Sequence, residues 1–396
     1  MKVYDRVEAQ INLDAIYDNL YNTRKIINEG TKLMAIVKAD GYGHGAVIIA
    51  KVVDDIVDAY GVSNVDEAIE LRKKATKKPI LILGYTSKKE NDLLVRYNIT
   101  QAVFDYESAC DLSQMAQSMG KVTPVHIKLD TGMTRIGFKD NDESIETIKK
   151  ISKLPGVEIT GIFTHFARAD EKDKTSVNKQ IRRYTEFVDK LEKEGIHIPT
   201  KHVANSASII DIPSVNFNMV RSGISTYGLY PSEDVDKDRL KLKPAMEIKS
   251  CISFIKEVGA GVGISYGSTF VTERPTKVAT IPVGYADGYP RNLSNKGYVL
   301  INGKKAPILG RVCMDQFMVD ITGISDVTYD SEVVLLGKDG DSQITVEELA
   351  GLAGTFNYEF VCDISKRVPR VFLRNDRVVA TLEFRGKYET AAKSRK

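Results

Sequence analysis

The chain has 396 residues, enough for a large barrel followed by a second domain. Its apolar share of 42% and charged share of 28% are those of an ordinary globular protein, and its 56 basic residues nearly balance 53 acidic ones. Bulk charge therefore gives no reason to expect a nucleic acid or an acidic membrane as a partner.

The first informative segment is a short apolar run, residues 33–37, that ends in Lys38. A glycine-rich loop follows, and a helix is predicted to begin near Ala46. A lysine sheltered at the carboxyl end of a strand loses its proton more easily than a surface lysine. Its neutral amine is a nucleophile toward aldehydes. The alternative, a solvated lysine beside a flexible loop, stays open on this segment alone.

Strand-like runs then alternate with amphipathic helical segments, a pattern typical of a parallel α/β sheet. Asn64 is a candidate helix N-cap, and Ser87 with Glu90 has capping-box spacing. The number of strands favours a closed (β/α)8 barrel of the TIM type, because no GxGxxG follows the first strand. The predicted strands are residues 33–37, 59–62, 79–83, 101–104, 123–129, 157–163, 201–203 and 217–220.

The pattern changes within the charged stretch of residues 231–244. We therefore predict a barrel domain at residues 1–240 and a mainly-β domain at residues 241–396. Alternating β patterns occupy most of the second domain, with one helical segment at residues 346–352. The other predicted strands are residues 247–258, 277–283, 298–301, 317–321 and 333–336.

The four cysteines form no CxxC pair, and none has a histidine at metal-ligand spacing. We therefore expect reduced thiols in a cytoplasmic protein, and no metal site. The N-terminus lacks a signal-peptide apolar segment, and no apolar run approaches transmembrane length, so we expect no membrane partner.

In the barrel model, Lys38, Arg135, His165, Ser206 and Arg221 all follow the carboxyl ends of strands, where barrel active sites form. Short segments in both predicted domains, in order along the chain, resemble those of the alanine racemase family of fold-type III pyridoxal-phosphate enzymes. The segments are VKADGYGHG (37–45), DTGMTRIGF (130–138), ANSA (204–207), RSGI (221–224), SYG (265–267), GYADG (284–288) and RVCMD (311–315).

The resemblance implies a two-base racemase that acts on alanine with pyridoxal 5'-phosphate. Lys38 would hold the cofactor and act as a base toward D-alanine. Tyr266 would serve L-alanine from the other face, and it would come from the partner chain of a head-to-tail homodimer. A free tyrosine has a pKa of about 10, so Tyr266 needs nearby positive charge to work as a base. A buried sheet aromatic is the alternative for Tyr266.

Arg221 would face the pyridine nitrogen, a position where many pyridoxal enzymes carry a carboxylate. Guanidinium does not give up its proton, so the resemblance implies a cofactor ring that is less electron-withdrawing and less prone to transamination. His165 would lie between Tyr266 and Arg221, and His202 would support the loop that follows it. The alternatives are a strand-end salt bridge for Arg221 and a core histidine for His165.

Substrate recognition is assigned to Arg135, whose forked donors suit the substrate carboxylate and the cofactor's phenolic oxygen. Lys128 matches a lysine that some members carry as a carbamate, a negative charge that would hold Arg135. An unmodified lysine pointing elsewhere is the alternative. Met314 would donate its backbone N–H to the substrate, and Tyr285 would narrow the entrance. Asp315, next to them in the chain, is a candidate acidic neighbour.

The cofactor phosphate would be bound by hydroxyl groups and backbone N–H groups on glycine-permitted close approaches. The resemblance assigns these contacts to Tyr42, Ser206, Gly223, Ile224 and Tyr358. Three other functions remain open: a serine or broad-specificity racemase, a pyridoxal-dependent decarboxylase and a non-catalytic pyridoxal-phosphate homeostasis protein. Arg221 argues against the decarboxylase, and the long β-rich half argues against the homeostasis protein.

Overall fold

The computed structural model describes residues 3–329 and 331–383, so the last part of the predicted second domain lies outside the described residues. The chain divides into two units by its contacts. Leu13–Ala245 form one unit, and the rest of the described chain forms the other. No helix in the described ranges is long and apolar enough to cross a membrane.

Eight parallel strands, each paired with the next, form the sheet of the first unit. A short ninth strand, Phe138–Lys139, extends this sheet. Two backbone hydrogen bonds connect the strands at its two ends, from Arg221 N to Ala204 O at 3.0 Å and from Asn218 N to Lys201 O at 3.2 Å. The prediction of a TIM-type barrel is confirmed. Its strands are Lys32–Ile36, Ala59–Val62, Ile80–Ile82, Thr100–Val103, Thr123–Asp130, Val157–Phe163, Thr200–His202 and Met219–Ser222.

Four helices of this described unit begin after a short polar side chain that caps them: Asn64, Asp105, Asn141 and Asn205. Asn64 is confirmed as an N-cap, since its Oδ1 accepts from Glu67 N at 3.0 Å. The capping box at Ser87 is wrong: its hydroxyl accepts from Lys89 N at 3.4 Å in a single 3₁₀ turn, and the helix begins after that turn. The helices are Leu13–Ile26, Ala46–Val53, Val65–Lys74, Asn91–Tyr97, Tyr106–Ser118, Asp142–Ile151, Thr175–Lys193 and Ser206–Asp211.

Most residues of the barrel strands are buried, which fits the apolar runs that predicted them. The eighth strand lies two residues further along the chain than predicted, because Phe217 has a positive φ of 40° and belongs to the preceding turn. Arg221 is therefore inside a strand and not on the loop after it. Its side chain is buried in the barrel unit.

The second unit is built around an eleven-stranded sheet. Strand Val7–Asn12 pairs antiparallel with Met246–Cys251 and parallel with Arg370–Arg374. This is a difference from the predicted organisation, which counts residues 1–12 with the barrel. The exact division between residues 240 and 241 stays a prediction.

The predicted strand at residues 247–258 is two strands, since the pairing partner changes near Ile252. Two helices, Val346–Ala353 and Asn357–Asp363, follow near the end of the described chain. Among the strands that were not predicted are Lys304–Leu309, Arg370–Arg374 and Arg377–Leu382, whose charged residues obscure the alternation. The other strands are Phe254–Val258, Gly263–Ile264, Phe270–Val271, Thr276–Ile281, Tyr298–Ile301, Phe317–Asp320, Glu332–Asp339 and Ser342–Ile344.

Candidate active site

Lys38 is half-buried and follows the first barrel strand. The next residues are not an irregular loop, because φ lies between 51° and 78° from Ala39 to Gly43. Gly43 N donates to Ala39 O at 2.9 Å, so the segment is a left-handed helical turn. Such a backbone costs about 1–2 kcal/mol at each residue that is not glycine. Strain of this kind is typical of functional sites.

Two carboxylates hold this turn in place. Asp40 Oδ1 accepts from Ala46 N at 2.9 Å, at the start of the following helix. Glu67 bridges the turn to the next strand, since its two oxygens accept from Ala39 N and Ser63 N, both at 2.8 Å. The backbone that carries Lys38 is therefore fixed from both sides.

Tyr42, Ser206 and Gly223 converge beyond this turn. A Cβ atom on Gly223 would lie 3.3 Å from Tyr42 Oη and 3.4 Å from Ser206 Oγ. Ser206 Oγ accepts from Gly223 N at 2.9 Å, and Asn205 caps the short helix that Ser206 begins. The missing side chain leaves a space bordered by two hydroxyls, which suits a phosphate group. Ile224 is fully buried beside this cradle.

Arg221 is 4% exposed, and backbone carbonyls surround its guanidinium. Nη2 donates to Thr164 O at 2.9 Å and to Val203 O at 3.0 Å, and Nη1 donates to His202 O at 3.0 Å. Burial lowers its pKa to about 10, so Arg221 still carries its charge at neutral pH. It can only donate hydrogen bonds.

Two histidines contact this guanidinium. Nη1 lies 3.1 Å from His202 Nδ1, and Nη2 lies 3.4 Å from His165 Nδ1. Burial, followed by the charge of Arg221, holds the pKa of both imidazoles well below 6.5. Lys128, Arg135 and then Lys38 lower the pKa of His165 further. His165 is therefore neutral and lies where several positive charges meet.

Lys128 is 3% exposed on the strand Thr123–Asp130. Its Nζ donates to Leu129 O at 3.3 Å and lies 5.0 Å from the centroid of the Phe163 ring. Burial and the neighbouring charge of Arg221 lower its pKa to about 7. About half of the unmodified amine would be neutral at pH 7, and a neutral amine is the form that reacts with carbon dioxide.

Arg135 is exposed on a loop that Asp130 organises, with Oδ1 accepting from Gly132 N at 2.9 Å and Thr134 N at 3.0 Å. Gln180, which was not predicted as a site residue, connects this loop to the loop that carries His165. Its Nε2 donates to Thr131 Oγ1 and to His165 O, both at 3.1 Å. Gln180 lies far along the chain in an ordinary amphipathic helix, so no local signal marks it.

Three other predicted residues belong to the second unit and are exposed: Tyr266 at 70%, Met314 at 53% and Tyr285 at 42%. Tyr285 N donates to Cys313 O at 3.1 Å. Ser265, at φ 64°, approaches Cys313 Sγ with its Oγ at 3.4 Å. These contacts connect the three loops that carry the exposed side chains.

The remaining predicted residues of this unit have local partners. Asp315 accepts a hydrogen bond from Arg367 Nη2 at 2.8 Å. Arg367 also lies near buried Asp287, 3.7 Å away. Tyr358 is half-buried in its helix, with its ring 5.5 Å from that of Phe356, and a cofactor role for it stays a prediction.

Comparisons with known proteins match both units to the same protein family. The family model "Alanine racemase, N-terminal domain" matches residues 11–231, and "Alanine racemase, C-terminal domain" matches residues 245–372. The chain is 46% identical to the alanine racemase of Methanococcus maripaludis over 92% of this chain and 98% of that protein. A solved Clostridium difficile alanine racemase superposes with a TM-score of 0.92, at 44% identity, over 96% of this chain and 99% of that one. A complex of that species' enzyme with cycloserine gives 0.90, at 42% identity, with coverages of 96% and 99%.

Proposed function

The chain belongs to the alanine racemase family, and from that premise we propose that it interconverts L-alanine and D-alanine and supplies D-alanine for peptidoglycan synthesis. One observation carries the proposal at the level of chemistry. Within a single unit, the strained turn after Lys38 leads into the Tyr42–Ser206–Gly223 cradle, and buried Arg221 lies two residues before Gly223. A nucleophilic amine, an anion cradle and a cation are what a phosphorylated aldehyde cofactor requires.

We propose pyridoxal 5'-phosphate as that cofactor. Tyr42, Ser206 and the backbone of Gly223 and Ile224 would bind its phosphate, and Lys38 would hold it covalently. When bound, this cofactor withdraws electrons from the substrate and makes the hydrogen on Cα acidic. Everything else in the reaction is positioning and proton transfer by the protein.

Two bases would serve the two faces of Cα. The amine of Lys38, once free, would take or return the proton on the face used by D-alanine. The phenol of Tyr266 does the same on the face used by L-alanine. A single base would tend to return each proton to the face it left, so racemisation needs both groups.

Arg221 would determine which side reactions are suppressed. With a pKa of about 10, it would donate a hydrogen bond to the pyridine nitrogen and keep its own proton at neutral pH. Lys38 and Tyr266 would then return the proton to Cα. The expected result is efficient racemisation with little transamination.

We propose a head-to-tail homodimer in which each active site uses Tyr266, Tyr285 and Met314 of the partner copy. The exposure of all three side chains in the second unit supports this. Arg135 would bind the substrate carboxylate, and a carbamate on Lys128 would hold Arg135. The cytoplasmic location also stays a prediction, supported by four cysteines that are thiols within the described ranges.

The full-length protein, loaded with pyridoxal 5'-phosphate, tests the proposal directly. Borohydride should attach the cofactor covalently to Lys38, as peptide mass mapping would reveal, and Lys38→Ala should abolish the label. L-alanine, L-serine and L-arginine are then supplied separately and each D-product is measured. A higher kcat/KM for serine or arginine than for alanine would replace the substrate assignment, and no D-product from any of them would refute racemase activity.

A further inference from the structure

Inside the barrel, a chain of hydrogen bonds runs from Arg221 through His202 to a residue without an assigned role, His126. His202 Nδ1 lies 3.1 Å from Arg221 Nη1, and His202 Nε2 lies 2.9 Å from His126 Nδ1. Guanidinium has no acceptor, so His202 Nδ1 must accept. The proton of neutral His202 is therefore on Nε2, which donates to His126.

The second imidazole can accept only if it is neutral. His126 is buried, and burial, followed by the charges of Arg221 and Lys32, lowers its pKa to about 3. It stays neutral across the physiological range, and its Nδ1 keeps a free lone pair for His202. The chain of donors and acceptors thus has one direction, away from Arg221.

The fold makes room for this imidazole. Val125 pairs with Ile159 but His126 pairs with Gly161, so the strand Val157–Phe163 carries one extra residue at this point. A Cβ on Gly161 would lie 2.5–2.6 Å from the ring atoms of His126. Bulges beside active sites often redirect a side chain. The bulge and Gly161 together provide the space that the His126 ring occupies.

The ring of His202 is held on its face as well as its edge. Phe163 stacks against it, with centroids 4.9 Å apart and planes at 11°. Stacking fixes the plane of the imidazole, and a hydrogen-bond acceptor for Nε2–H adds to the Arg221 bond in stabilising the orientation that turns Nδ1 toward Arg221. Without that partner, a buried N–H group would be left unsatisfied, which is costly.

We propose that His126 is a positioning residue for the racemase reaction: it accepts from His202, fixes the tautomer and orientation of that imidazole, and so orients the Arg221 guanidinium. The proposal rests on the function proposed above, because it concerns the group that would face the cofactor ring. No proton moves along this series of hydrogen bonds in this role. His126 acts only by satisfying the donor behind Arg221.

Two variants of the full-length, cofactor-loaded protein separate positioning from packing. His126→Leu fills much of the space but removes the acceptor. His126→Asn can present Oδ1 near the position of Nδ1 and serves as the conservative rescue. The chain has five histidines, so imidazole nitrogen-15 spectra are simple to assign by single substitutions.

In the wild type, His202 should be the Nε2–H tautomer with a hydrogen-bonded proton. That proton resonance should move upfield in the Leu variant and return in the Asn variant. The ratio of pyridoxamine phosphate formed to alanine racemised should rise roughly tenfold in the Leu variant, the effect of one lost buried hydrogen bond, and fall again in the Asn variant. Melting temperature is recorded in parallel, since a purely structural role would change it without changing this ratio.

An unchanged His202 resonance in the Leu variant, or a shifted resonance with an unchanged product ratio, would overturn the proposal. A wild type with His202 protonated on Nδ1 would do the same. If the wild type neither binds the cofactor nor racemises alanine, the proposed function fails and the positioning role fails with it. The resonance measurement would still report on the hydrogen bond itself, so the two failures are distinguishable.

Discussion

Lys128 allows the effect of a buried charge on the free energy of unfolding to be measured directly. The residue is 3% exposed, and its ordinary pKa of 10.5 falls to about 7 through burial and the charge of Arg221. At 1.36 kcal/mol for each pH unit, the unmodified lysine destabilises the folded state at pH 7 by roughly 4 kcal/mol. Lys128→Met keeps the side-chain length and removes this penalty.

The sign follows from proton binding. Between pH 7 and 10.5 the folded chain binds fewer protons at Lys128 than the unfolded chain, so the free energy of unfolding rises with pH in this window. Below pH 7 both states are protonated and the full penalty applies. Lys128→Met should therefore be more stable than the wild type at pH 7, and the difference should shrink toward pH 10.5.

The assay is urea unfolding of apo protein in buffer free of carbon dioxide, at several pH values, with exposed Lys77→Met as the matched control. Adding bicarbonate should stabilise the wild type alone, as a carbamate replaces the cation, with an intact-mass gain of one carbon dioxide that acid removes. A less stable Met variant without carbon dioxide, or a pH-independent difference between the two proteins, would refute the electrostatic reasoning. Absence of the mass gain at saturating bicarbonate would refute the carbamate alone.

Three further changes test other parts of the site. Gly223→Ala should place a methyl group in the phosphate cradle. Cofactor binding, measured by fluorescence titration, should weaken by about 100-fold or more, because one or two charged hydrogen bonds are lost. Gly259→Ala, whose methyl group would lie in open space, is the control and should bind the cofactor as the wild type does. Tyr266→Phe should reduce racemisation by roughly 10²–10⁴-fold. Exchange of the Cα hydrogen of D-alanine with heavy water should persist in this variant, and equal loss of exchange from both enantiomers would contradict a two-base reaction. Gln180→Leu should lower the free energy of unfolding by about 1–3 kcal/mol and reduce kcat, because the loop that carries His165 loses its brace; unchanged kcat would exclude that role.

The residues that could be predicted from sequence are those within short contiguous motifs. Lys38 follows an apolar strand, and Ser206 and Gly223 belong to recognisable segments, so the roles proposed for them follow from local sequence. The left-handed turn after Lys38 was not predicted, because Ala39 and Asp40 do not favour positive φ. The bonds of Asp40 to Ala46 N and of Glu67 to Ala39 N hold that backbone in place.

The residues that could not be predicted act through tertiary contacts. Gln180 lies 49 positions from Thr131, and His126 lies 76 positions from His202. Neither has a local pattern that distinguishes it from a helix-surface amide or a core imidazole. The bulge that admits His126 depends on the register between two strands, and single-sequence periodicity contains no register.

The buried charges inside the barrel need polar partners, and the supporting residues supply them. Barrel interiors are normally filled by branched apolar side chains, but here Arg221 and Lys128 are buried near each other, and carbonyls and imidazoles surround Arg221. Dipoles satisfy hydrogen bonds, but they compensate buried charge only in part. The apo barrel is therefore less stable than an apolar barrel would be, and it gains stability when negative charge arrives. A carbamate on Lys128, the cofactor phosphate and the substrate carboxylate would each supply such charge, so ligand binding and catalysis would draw on the same electrostatic imbalance.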